Sequence, residues 1–326
     1  MTPAASQLPT APLSSAWGAL PPEYAIPDQA PSEAEARAYC RRLAGSHYEN
    51  FSVASWFLPE GLRQHFFNVY AYCRISDDLG DEVGDPAMSL QLLDQWETEL
   101  NECYGGHPRH PVFVALAETV RKFEIPKHEF ADLLTAFRQD QRIMRYESFD
   151  DLLGYCRYSA NPVGHLVLYL CGYRDRERQL LSDYTCTALQ LANFWQDVST
   201  DFAKGRIYLP LQDLRRFGVG EEVIRDNDNT IAFREMMKFE VERAREWFAQ
   251  GLPLIAKLER ELATDIELFS RGGQEILNAI ARQDYAVLGR RPSISKTRKL
   301  ALVARAALGQ LPGKLMWKPK LPGKQR

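Results

Sequence analysis

The sequence predicts an all-α fold, a single domain of roughly ten helices, and three observations carry that prediction. Apolar residues recur at three- and four-residue spacing, as in Leu90, Leu93, Trp96 and Leu100 or Ala131, Leu134 and Phe137. Residues 32–311 hold only nine prolines, and Pro59, Pro86, Pro108, Pro126 and Pro210 fall at plausible helix boundaries. Alternating strand-like runs closed by Asn-Gly or Gly-Gly turns are missing. A chain of 326 residues would ordinarily suggest two domains, but one large helical domain is equally allowed.

Taken in order, the chain begins with a stretch holding seven prolines in residues 1–31, with Ala, Ser and Thr between them. That composition reads as a disordered arm. Ser32 followed by Glu35 forms a capping box, which opens the helical domain expected over residues 32–311. Residues 312–326 form a Pro/Gly/Lys tail. The six cysteines are scattered without a CxxC pair, and the six histidines lack HxxxH or HxH spacing. A disulfide framework or a His/Cys metal site is therefore disfavoured, and reduced thiols in a cytoplasm fit better. No run of about 18 apolar residues occurs, and the N-terminus lacks the basic start and apolar core of a secretory signal.

Charge is unevenly placed. The net charge is −3, yet residues 285–326 hold eleven Lys or Arg and no Asp or Glu. The body is correspondingly acidic, and two of its acidic segments carry chemistry. In residues 69–82, VYAYCRISDDLGDE, the side chains of Tyr70, Arg74, Asp77 and Asp81 share one helix face. In residues 189–201, LQLANFWQDVSTD, the same is true of Gln190, Asn193, Asp197 and Asp201. Each stripe ends in two carboxylates four residues apart, a spacing that destabilises a helix by a few tenths of a kcal/mol. Acidic runs are most often solvated faces, but such faces more often mix Lys with Glu than Asp with Tyr, Asn and Gln. Two matched stripes of hard oxygen ligands suit Mg²⁺ bridged to a diphosphate. Arg74, Lys204 and Arg206 could neutralise the phosphate charge left over. An EF-hand reading of DDLGDEVGD fails for want of the alternating ligands and terminal Glu.

The third segment is YCRYSANPVGHLVLYL, residues 155–170, where Tyr155 and Tyr158 precede an almost uncharged helix containing Asn161, Pro162 and Gly164. It reads either as a buried helix kinked by proline or as room made for a long apolar ligand. His165 by itself reads as a satisfied core histidine.

These three segments resemble the squalene/phytoene synthase family, and the resemblance runs from about His47 to Arg291. It rests on YAYCRISDDLGD, YCRYSANPVG and QLANFWQDVSTDFAKGRIYLP. It implies an isoprenoid-synthase-like helical bundle around a central cavity. It further implies that Asp77, Asp81, Asp197 and Asp201 bind Mg²⁺ bridged to a prenyl diphosphate. Tyr70, Arg74, Gln190, Asn193, Lys204, Arg206, Tyr208 and Arg290 would contact the diphosphate, and Tyr155 would lie near the reacting carbons. Gln196 stands where the family usually has Arg, and Ser159-Ala160-Asn161 replaces a small apolar triplet. Asn50 replaces a common Ser, and Gly273 stands where some members carry Tyr. These departures look like the hydroxysqualene synthase branch of bacterial hopanoid synthesis. The expected reaction is then presqualene diphosphate and water to hydroxysqualene and diphosphate, with Asn161, Ser159 and Asn50 holding the water, and Phe51 beside Tyr155 facing the cation. Head-to-head condensation of two farnesyl diphosphates remains open, as does a non-catalytic scaffold that binds prenyl diphosphates or pathway enzymes. The basic tail, with Trp317 among its lysines, suits either an anionic bilayer surface or plain solvation. Cytoplasmic placement, with or without peripheral membrane contact, is expected. Nucleic-acid binding is disfavoured because the tail lacks interleaved aromatics.

Overall fold

Local capping chemistry sets where the helices begin. In the structure, a computed structural model that describes residues 20–46, 60–295 and 297–298, Ser32 Oγ donates to Glu35 and the Ser32 backbone N–H does the same at 2.9 Å. The capping box expected there opens α1, Glu33–Ser46. Next come α2, Glu60–Asp81, α3, Pro86–Gly105, α4, Pro111–Phe123, and α5, His128–Asp140. The Asp85 side chain caps α3 and that of His110 caps α4, each with proline in the first turn, where its missing N–H is not needed.

Residues 155–170, read from sequence either as a buried helix kinked by proline or as room for a long apolar ligand, fall on two helices. Helix α6, Phe149–Ser159, ends at Ala160, and α7, Asn161–Leu170, restarts with Pro162 in its first turn. Proline inside a helix removes a hydrogen bond and clashes with the preceding turn, so the chain breaks instead of bending. The long α8, Arg176–Ala203, follows, then α9, Leu211–Phe217, α10, Glu221–Arg225, α11, Ile231–Gly251, and α12, Arg260–Arg282. Short 3₁₀ turns occupy Pro22–Tyr24 and Leu252–Lys257. Among the described residues the β-type pairing is a single bridge, Arg145 to Ile207, so the fold is all-α.

Two apolar cores organise these helices. One surrounds Tyr72, Trp96, Phe113 and Phe130, contributed by α2 to α5. The other surrounds Trp195, Phe233, Met236 and Phe248, from α8 and α11. Helix α8 packs on α7, α11 and α12, while α2 packs on α4, α5 and α7. Residues 20–31, assigned by composition to the arm, are anchored at one end. Leu20 and Tyr24 are buried, and Tyr24 Oη donates to Asp78 at 2.7 Å. Asn50, Phe51 and the tail 312–326 lie outside the described residues.

Candidate active site

The C-terminal ends of α2 and α8 meet around a polar cavity of about 270 Å³. Asp77 and Asp81 enter from α2, and Gln190, Asn193, Asp197 and Asp201 from α8. Both stripes thus reach one place, and Lys204, Arg206, Tyr208, Tyr155 and Ser159 complete much of the lining.

Charge in this cavity is crowded. Burial, reinforced by Asp81, pushes the Asp77 carboxyl up to about 6, and burial with Asp197 pushes Asp201 up to about 7. Lys204 Nζ approaches Asp81 at 3.2 Å and Arg206 Nη1 donates to it at 2.9 Å. Arg291 donates twice to Asp197 and once to Gln196 Oε1, while Gln196 Nε2 donates to the Pro292 carbonyl. Arg290 is exposed, and its neighbour Arg291 is the base on the second Asp pair.

Arg74 stands at the edge of this cluster. It forms a two-pronged pair with Asp78 and stands 3.6 Å from Asp77. Asp78 is buried and also accepts from Tyr24, so it positions Arg74 beside the site. Tyr70 lies on the same helix, half-buried, with burial raising its hydroxyl.

An aromatic wall backs the acids. The rings of Phe194 and Tyr208 stack with centroids 3.9 Å apart, and Tyr155 and Tyr146 pack against them. Asp140, 4% exposed, ties the wall together by accepting from Tyr155 Oη at 2.9 Å and Tyr208 Oη at 3.2 Å. Burial raises its carboxyl to about 6. Sequence reasoning missed Asp140 and Asp78. Asp140 closes α5, with no neighbouring motif to mark it, and Asp78 sits one residue off the stripe.

Asn161 is placed elsewhere. It lines a separate polar cavity with His165 and accepts from Thr187 Oγ1 at 3.0 Å. Asn161 opens α7, past the break at Ala160, while Tyr155 lies on α6. The Ser159 hydroxyl does reach the acid cavity, buried and without a hydrogen-bond partner among the described residues, as is the Tyr146 hydroxyl behind it.

Oxygen donors in two pairs suit Mg²⁺ in kind. Among the described residues, however, no three His, Cys, Asp or Glu side chains come together to enclose one ion. The pairs therefore fit ions that complete their shells with ligand oxygens, which is how Mg²⁺ is usually held beside phosphates.

A family model for squalene/phytoene synthase matches residues 44–298. The chain belongs to the squalene/phytoene synthase family. It is 45% identical to a squalene synthase of Alicyclobacillus acidocaldarius, with a TM-score of 0.74 over 83% of this chain and 98% of that one. A dehydrosqualene synthase solved with a ligand shares 27% identity and a TM-score of 0.77, over 85% of this chain and 96% of that chain. The phytoene synthase of Arthrospira platensis is 30% identical over 82% of this chain and 91% of its own length. As an enzyme family acting on prenyl diphosphates, it accounts for an acid cavity walled by aromatic rings. No described helix is long and apolar enough to cross a membrane.

Proposed function

We propose that this chain is a Mg²⁺-dependent synthase of the squalene branch, working on prenyl diphosphates at the cavity between α2 and α8. The observation that carries this reading is the convergence of Asp77, Asp81, Asp197 and Asp201 on one cavity beside Lys204, Arg206 and Arg291. Those four aspartates would hold the metal, and bound Mg²⁺ would supply charge neutralisation for the departing diphosphate. Lys204, Arg206 and Arg291 would turn from the aspartates to the diphosphate oxygens. Tyr155, Tyr208 and Phe194 present ring faces to an allylic or cyclopropylcarbinyl cation, and Asp140 keeps those rings in place. A second cavity of about 280 Å³, lined almost wholly by apolar groups of α2, α7, α8 and α12, would take the hydrocarbon chain.

Two endings remain for the chemistry. The relatives' names lend more to head-to-head condensation of two farnesyl diphosphates to presqualene diphosphate or squalene, since the 45% identical neighbour is called a squalene synthase. Addition of water to presqualene diphosphate, giving hydroxysqualene, draws on this chain's own residues. Gln196 in place of the usual Arg leaves less charge for a second diphosphate, and the free hydroxyls of Ser159 and Tyr146 could hold a water. Incubating the protein with Mg²⁺ and either farnesyl or presqualene diphosphate, with and without NADPH, separates the endings by product. Release of no diphosphate from either substrate would remove the enzyme reading and leave the binding scaffold.

A further inference from the structure

Asp265 is a carboxylic acid where none is expected. It sits on α12, is 3% exposed, and lines the apolar cavity with Phe66 of α2, Val163 and Val167 of α7, and Ser182 and Cys186 of α8. Both of its carboxyl oxygens are buried without a hydrogen-bond partner among the described residues. An unpaired buried polar group is destabilising, so its retention asks for a function.

Its depth can be read from the helices. Helix α12 runs alongside α8 in the same direction. The Lys257 carbonyl just before α12 accepts from Arg178, and Gly273 within it abuts Leu189. Asp265 is therefore level with the Ser182–Thr185 turn of α8. From Ser182 to Asp197 is about 22 Å of helix, or roughly four turns. An extended isoprene unit spans roughly 5 Å, close to one 5.4 Å helical pitch. If the diphosphate and its metal take on the order of one turn, three isoprene units fill the remaining three turns.

We propose that Asp265 sets chain length, its carboxyl closing the apolar cavity where the third isoprene unit of a farnesyl chain ends, so that a fourth unit is refused. This rests on the reading that a prenyl chain occupies the apolar cavity from the acid end. The refusal comes from bulk and polarity together, since the carboxyl is already buried without a partner and a fourth isoprene unit would have to push it aside and press hydrocarbon against it. Burial pushes the carboxyl up to about 8, so at neutral pH it is chiefly the neutral acid, which is polar without the full expense of a buried charge.

The test uses the full chain with Mg²⁺ and the non-reacting thiodiphosphates of farnesol and geranylgeraniol, titrated by calorimetry. The wild type should bind the C15 probe about tenfold or more tighter than the C20 probe. Asp265→Ala should bring that ratio close to one by improving C20 binding, and should melt close to wild type, since the contacts it loses are offset by removing an unpaired buried polar group. Asp265→Asn should keep the ratio, because an amide is as polar as the neutral acid. A wild type without C15 preference, a ratio untouched by Asp265→Ala, or a ratio lost in Asp265→Asn as well would each overturn the proposal. Binding of neither probe by the wild type would instead overturn the prenyl-diphosphate site itself.

Discussion

Helix α8 carries carboxylates into two very different settings. Near its start, Asp183 accepts from His165 at 2.7 Å, and Glu129 of α5 holds the other ring nitrogen at 2.9 Å. Burial alone would lower the His165 pKa, but the hydrogen bonds to Asp183 and Glu129 win and raise it to about 9. The imidazolium and its two carboxylates satisfy one another and pin α5, α7 and α8 together. Near the end of α8, Asp197 and Asp201 join Asp77 and Asp81 with bases borrowed from loops, and two of the four carboxyls are pushed to about 6 and 7. Charge that closes on itself marks structure, whereas charge left crowded and reachable marks a place for a ligand.

Removing one charged group from each setting should have opposite effects. At the open cluster, Asp81→Asn or Asp201→Asn should lower turnover about a thousandfold, or roughly 4 kcal/mol of transition-state stabilisation. Thermal stability should stay level or rise for Asp201→Asn, which removes a like charge beside Asp197, and should fall modestly for Asp81→Asn, which gives up its pairs with Lys204 and Arg206. Steady-state diphosphate release and a melting curve on the same preparation check this, and unchanged turnover would remove these residues from the chemistry.

At the closed cluster the loss should fall on the fold. His165→Gln leaves Glu129, which is 3% exposed on its side chain, and Asp183 without their shared cation. Breaking a buried ion pair from one side is destabilising by about 3–5 kcal/mol. Urea unfolding should show a loss near the lower end of that range, with turnover of the folded fraction within about threefold of wild type. A variant that folds normally yet loses turnover would make His165 part of the reaction.

The same histidine gives the comparison a pH axis. Its folded pKa lies above its unfolded value of about 6.5, so the folded state binds the extra proton. Its contribution is therefore complete below about pH 6.5 and is lost as pH rises through about 9. The stability gap between wild type and His165→Gln should narrow across that window. A gap that stays constant from pH 6 to 10 would show that the ring acts by packing alone.

How much of this was legible in the sequence follows from where each constraint lives. The two acidic stripes could be read because helical spacing alone decides which side chains share a face, and that Asp77, Asp81, Asp197 and Asp201 meet is a tertiary fact their matched form hinted at. The cavity that Asn161 lines was not legible because it depends on how α7 packs after the helix break at Ala160, which the Asn-Pro pair allows but does not require. Asp140 and Asp265 were silent because one gains its meaning from partners elsewhere along the chain and the other from having none, and Asp78 because only Tyr24, 54 residues away, sets it apart from an ordinary helical pair with Arg74. The capping box at Ser32 was legible for the opposite reason, since both of its members lie within one turn.

Arg291 sharpens the comparison most finely, because it is the base that the open cluster borrows most loosely. It is an exposed residue with half-exposed side-chain atoms, and it is held by Asp197 and Gln196 in a segment tied down through the Pro292 carbonyl. An exposed ion pair of this kind stabilises the fold by about 1 kcal/mol or less. Arg291→Ala should therefore shift the melting curve little. A bound diphosphate, in contrast, would lose one charge-assisted contact, and KM should rise about tenfold with kcat within a few-fold of wild type. Arg290, exposed beside it without an acid within reach among the described residues, is the control, and Arg290→Ala should leave KM within about twofold. Were the two effects reversed, the loop would have to turn over when substrate binds, making Arg291 a clasp on the empty site and Arg290 the base that meets the diphosphate.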